Sequence, residues 1–183
     1  MKRPILDGND IATYTKVSKV LVTVVLLTWW LFMPTVGYAS RGTADHCLLG
    51  HFLWPLSHAN VWHLAGNLYF LWVVLKEGRL YMRESYVIAV LCSFLPVVPG
   101  LWDLFSSGEP LTTVGFSGVL CAMIGIRWGM WIGSCNSVAA YGTFARRVLS
   151  FVAVGFVIPH VNWSIHLYCL MAGVVYGMVA TKS

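Results

Sequence analysis

Charge is scarce in this chain. Of its 183 residues, 12 are Lys or Arg and 7 are Asp or Glu, 10% in all, against 58% hydrophobic residues. A soluble domain carries roughly a quarter charged residues. So few charges cannot coat a water-soluble globule, and with a mean hydropathy of +0.72 the expected solvent is a lipid bilayer. The five cysteines, at 47, 92, 121, 135 and 169, form no CxxC pair, and four lie in or beside apolar segments. They read as small buried apolar residues, not as a disulfide framework or a zinc site. There is no HExxH. His58 and His63 are five apart, about 140° around a helix, so His51, His58 and His63 do not suit a metal, and no cofactor is expected. The net charge of +5 is not gathered on one face or in one run, which argues against nucleic acid as a partner. No internal repeat supports an inverted-repeat transporter. No cleavable leader pattern is present; the first apolar run reads as a retained helix.

What the chain does have is apolar runs of membrane-spanning length between polar breaks. They predict an all-α polytopic membrane protein, with spans at about 17–38, 56–75, 85–101, 112–132, 147–158 and 163–181 behind a cytoplasmic segment, 1–16. The length leaves no room for a separate soluble domain. Nine Trp and eight Tyr suit two interfacial belts. Six spans put both termini on one side, and every Lys and Arg except Arg41 falls on that side or at that end of a span. The positive-inside rule then makes the termini cytoplasmic.

Polar groups inside a span are functional candidates by default. Five of them gather toward the outer side. Ser117 is flanked by Gly115 and Gly118 at the start of the fourth span, about four or five residues in, or roughly 6–8 Å below the interface. His166 is about three residues into the sixth span. His58, His63 and Asn67 lie in the outer half of the second. A serine becomes a nucleophile when a histidine takes its proton. The only outer-side acids, Asp45, Asp103 and Glu109, lie in loops, so the pattern reads as a dyad of Ser117 and His166. His63 and Asn67, four apart, share a helix face and can donate toward one point, beside the backbone N–H groups of a helix start. Gly115 and Gly118 leave room beside the serine for a substrate backbone.

Glycine spacing supports the pairing. Ser117, Cys121, Gly125 and Gly129 run along one stripe, and His166, Cys169, Gly173 and Gly177 along another. Both hold GxxxG pairs, which let helix backbones approach closely. Pressing these stripes together would bring Ser117 to His166.

Taken together these residues resemble a rhomboid intramembrane serine protease of the six-span bacterial type. Gly115-Phe116-Ser117-Gly118 matches the family's GxSG motif, His166 with Gly173 its last-helix histidine, and His58…His63…Asn67 its second-span run. The resemblance covers about Leu48 to Ala180. It implies a six-helix rhomboid-like bundle in a bacterial cytoplasmic membrane, with Ser117 and His166 as the dyad. His63 and Asn67 would support the oxyanion, with His58, Gly115 and Gly118 around them. Substrates would be single-span membrane proteins cut near the outer end of a helix, where small or helix-breaking residues let it unwind. Departures mark a divergent member: Leu49-Gly50 stands where a Trp-Arg pair is common, Cys121 replaces an aromatic, Ile165 and Cys169 flank the histidine in place of small residues, and the glutamate expected at the inner end of the second span is shifted to Glu77 or replaced.

The main alternative is a catalytically silent rhomboid-like module that binds membrane partners, but such proteins usually lose one member of the dyad. A channel needs a polar path through both halves of the bilayer. Here the polar cluster stops halfway, which fits a cavity open to one side. Its expected roof is the loop 103–110 or the outer end of the fifth span at Pro159.

Overall fold

The computed structural model describes residues 8–39, 48–74, 81–95, 112–134 and 162–181. Helix α1 spans Gly8–Phe32. Pro34 follows two residues later, and proline cannot continue a helix because it lacks the N–H and its ring clashes with the preceding turn. The expected first span, 17–38, is therefore displaced toward the N-terminus. The helix begins at Gly8, inside the segment 1–16 expected to precede the span. Residues 34–37 are not helical and lead into a strand, β1, Tyr38–Ala39.

β1 pairs antiparallel with β2, Thr112–Thr113, with Tyr38 opposite Thr113 and Ala39 opposite Thr112. Among the described residues the protein is thus mostly helical with one two-residue ladder, and the fourth span, expected from 112, is a strand followed by helix α5, Ser117–Gly133. A short helix, α2, Leu48–Leu53, occupies the region read as the first loop. Helix α3 is Val61–Val74. It starts later than the expected 56 because Asn60 caps it, its Oδ1 accepting the His63 N–H at 2.9 Å. Helix α4, Met82–Ser93, takes the place of 85–101. Helix α6, Trp163–Ala180, agrees with 163–181 to one residue. The expected fifth span, the loop 103–110 and Pro159 lie outside the described residues.

Among the described residues, two helices are long and apolar enough to cross a bilayer: Ala12–Phe32 within α1, and Trp163–Ala180. Ser117–Gly133 is a shorter apolar helix. On α6 the exposed face is itself apolar, carrying Leu167, Met171, Val175 and Val179, while Cys169, Gly173 and Gly177 on the other face are buried. A helix apolar on both faces is expected where the outer face meets lipid.

Helix α6 packs most extensively on α5, as the glycine stripes require. A methyl placed on Gly173 would sit 3.1 Å from the Gly125 Cα, and one on Gly177 would sit 3.0 Å from the Gly129 Cα. The backbones touch, which only glycine on both sides permits.

Polar ties hold the end of the bundle around β1 and β2 together. Trp29 Nε1 and the Val36 N–H both donate to Ser57 Oγ, at 3.1 and 2.9 Å, fastening the end of α1 to the turn before α3. Deeper, Trp72 Nε1 donates to Thr23 Oγ1 at 2.9 Å. The His51 ring is sandwiched between Tyr38 and Phe94, with centroids at 4.8 and 4.2 Å. Its Nδ1 lies 3.0 Å from Ser93 Oγ. Because the Ser93 hydroxyl donates to Val90 O, the histidine must be the donor in that bond. The Tyr86 hydroxyl donates to Phe52 O, so α2 is pinned to α4.

Candidate active site

The nucleophile position is built by a turn. After β2 the chain passes Gly115 at φ +116°, a conformation that L side chains rarely adopt. Space demands glycine as well. A methyl there would lie 2.6 Å from Cε1 and Nε2 of His63 and 3.4 Å from Nδ2 of Asn67. The turn is held from below: the Gly115 N–H donates to Trp54 O at 2.9 Å and the Phe116 N–H to His58 Nε2 at 3.4 Å. Phe116 is the N-cap of α5, so Ser117 is its first residue and not four or five residues into a helix. The difference follows from Thr112 and Thr113 being strand.

From the first turn of α6, His166 reaches across to Ser117, with Nε2 2.7 Å from Oγ. A neutral ring that accepts the serine proton at Nε2 carries its own proton on Nδ1. Trp163, one turn earlier, stands edge-on to this ring with centroids 5.6 Å apart. Cys121 and Cys169, one turn below the pair on their own helices, are buried free thiols, and Cys92 of α4 is in hydrogen-bond contact with Cys169. They fill the floor as small apolar groups.

His63 and Asn67 reach one point from one face of α3, the outer surface of Gly115. Asn67 is 5% exposed, and its Nδ2 is buried with no hydrogen-bond partner among the described residues. His58 differs from its expected place. It precedes α3 and is 1% exposed. Its Nε2 receives the Phe116 N–H while Nδ1 faces Leu56 O at 3.2 Å. Both ring nitrogens are engaged by backbone, so His58 shapes the turn and has no proton to offer an oxyanion. Gly118 also differs. The space beside it holds the ring of Trp54, which a Cβ at 118 would strike, so that glycine admits a core tryptophan and not substrate.

Two residues escaped the sequence reading. Asn162 caps α6 and donates from Nδ2 to Thr113 Oγ1 at 2.9 Å. Ser57 gathers α1 onto the site's scaffold. An Asn before a periodic apolar run is a legible cap signal; the reach to Thr113 is not. No group of three or more His, Cys, Asp or Glu that could hold a metal ion occurs among the described residues.

The fold and site define a helical, lipid-facing protein with a serine and a histidine hydrogen-bonded across two glycine-packed helix starts. The Rhomboid domain matches residues 45–183, well over half of the chain, and the protein belongs to the rhomboid family. Its members are in general intramembrane serine proteases, and a rhomboid domain makes this an integral membrane protein. No curated relative matches the chain.

Proposed function

We propose that the protein is an intramembrane serine endopeptidase with a Ser117–His166 dyad near the outer side of the bilayer. The observation that carries this reading is the 2.7 Å approach of Ser117 Oγ to His166 Nε2. In the mechanism, His166 takes the hydroxyl proton as Oγ attacks a substrate carbonyl, then returns it to the leaving amine. Water then releases the acyl group, with His166 as base again. The developing oxyanion needs donors. The N–H groups of Gly115 and Phe116 already bond Trp54 O and His58, which leaves the Ser117 N–H, without an intrahelical acceptor at the helix start, as the backbone candidate. His63 and the uncommitted amide of Asn67 would add side-chain donors. The bundle is read as six-span, in a bacterial cytoplasmic membrane, with cytoplasmic termini on the strength of the basic-residue asymmetry. Its substrates are single-span membrane proteins.

The direct test is to treat purified protein with a fluorophosphonate and locate the adduct by peptide mass spectrometry. The expected site is Ser117. An unlabelled protein that nonetheless binds single-span proteins would sink the protease reading and favour the silent binding module.

Loss of one oxyanion donor typically costs about a hundred- to a thousandfold in rate. His63 and Asn67 share the task with backbone, so each single change should cost less than losing the serine. Asn67→Ala should lower kcat about ten- to a hundredfold and His63→Ala at least as much, with KM little changed. Unchanged kcat in both would reduce them to helix-packing residues.

A further inference from the structure

We infer that Asn162 is a positioning residue for the Ser117–His166 pair, acting through its hydrogen bond to Thr113. The inference rests on the dyad reading above and adds a residue that reading does not contain.

Asn162 uses both ends of its amide. As N-cap of α6 it has an extended backbone, φ −76° and ψ 91°, and its Oδ1 accepts the Ile165 N–H at 3.4 Å. Its Nδ2 donates to Thr113 Oγ1 at 2.9 Å. The two residues are 8% and 5% exposed, so little water competes for the bond. Ser or Asp would serve equally as a cap. The amide accepts on one side and donates on the other and so makes both contacts, which an ionised aspartate cannot.

The bond closes a small ring of structure. Thr113 is held against Tyr38 in the ladder, and four residues later the chain reaches Ser117 through the Gly115 turn, itself tied to Trp54. From Asn162 it is four helical residues to His166. The Asn162–Thr113 and Ser117–His166 bonds are thus two rungs between the same two segments. The glycine stripes set how closely α5 and α6 approach, but their nearest pair, Gly125 and Gly173, lies about 10–12 Å along the axes from the dyad. Smooth glycine contacts resist sliding poorly. A slip of α6 by one residue's rise, about 1.5 Å, would carry Nε2 out of reach of Oγ. Asn162 supplies the fixed point at the outer end that the glycines lack.

Thr113→Val removes the acceptor while sparing the cap, because valine keeps the shape and the β-branching; it also removes the side-chain bond between Thr113 and Tyr38, so Asn162→Ser is the more selective probe. Thr113→Ser keeps the hydroxyl. Asn162→Ser keeps the cap oxygen and cannot reach Thr113. Full-length protein in detergent is treated with a fluorophosphonate, and the rate constant for labelling Ser117 is measured beside the melting temperature. Thr113→Val and Asn162→Ser should each slow labelling about ten- to a hundredfold, since misplacement by about 1 Å costs about a hundredfold. Thr113→Ser should restore a rate near wild type. The double variant Thr113→Val/Asn162→Ser should be no slower than Thr113→Val alone, because the threonine change already removes the bond that Asn162 makes. If Thr113→Val does not fold, Asn162→Ser gives the same comparison. Wild-type labelling rates in both single variants, with Ser117→Ala unlabelled, would overturn the positioning role and leave the dyad standing. A wild-type protein that never labels would overturn both.

Discussion

Ser117→Ala should abolish peptide cleavage and fluorophosphonate labelling, and His166→Ala should do the same. The double variant should be no worse than either. In the proposed mechanism the Ser117 oxygen forms the acyl bond, and His166 Nε2, 2.7 Å away, takes its proton. Members of such a unit act together, so single losses are grossly non-additive. In serine proteases removing either the serine or the histidine costs on the order of 10⁴–10⁶-fold. Folding should survive. Ser117 and His166 are only half-buried, so a lost partner can be replaced by water. For a chain of this size a change of about 1 kcal/mol moves the melting temperature by about 2–4 °C. Substrate cleavage and the melt are the two measurements. Near-wild-type cleavage by purified Ser117→Ala would remove the nucleophile assignment. Normal labelling of His166→Ala would mean that another histidine, with His63 the nearest candidate, is the base.

The pairing of Ser117 with His166 was legible because each residue ends a glycine stripe, and glycine spacing on two helices predicts which faces meet. The same reasoning failed at the helix starts. Met33 to Tyr38 and Thr112 to Phe116 are apolar enough to extend the neighbouring spans, and an apolar count does not distinguish helix from strand. What decides is a ladder between Tyr38 and Thr113, far apart in sequence, together with Pro34 and the positive φ of Gly115. Long-range pairing of two residues leaves no periodicity to read. His58 illustrates a second limit. Its spacing from His63 and Asn67 suggested a shared task, but it falls before the cap at Asn60, off the helix, where its ring turns to the backbone of Phe116. Asn162 and Ser57 were missed for a related reason: their partners Thr113, Trp29 and Val36 come from other segments.

If the proposed dyad operates, Gly173→Val should disable it without touching Ser117 or His166. A first methyl at this position meets Ala122 O, the Ile126 N at 3.0 Å and the Gly125 Cα at 3.1 Å, all backbone of α5 that cannot rotate away. The helices must separate or tilt. Gly173 lies two turns below His166, so a wedge there levers the imidazole from the serine. Misplacement by about 1 Å is enough to cost about a hundredfold in rate, and valine demands at least that. Overpacking of this kind typically costs about 1–3 kcal/mol, which outweighs the few tenths of a kcal/mol of helix propensity gained by replacing glycine with valine. Both the labelling rate of Ser117 and the melting temperature should therefore fall, with Gly173→Ala intermediate. Gly66→Ala is the matched control. Nothing lies within 4 Å of a methyl at that glycine in α3, so labelling should be unchanged and the melt equal or higher. If Gly173→Val labels like wild type while remaining folded, close helix packing is not what holds the dyad together, and the link from the glycine stripes to catalysis is wrong.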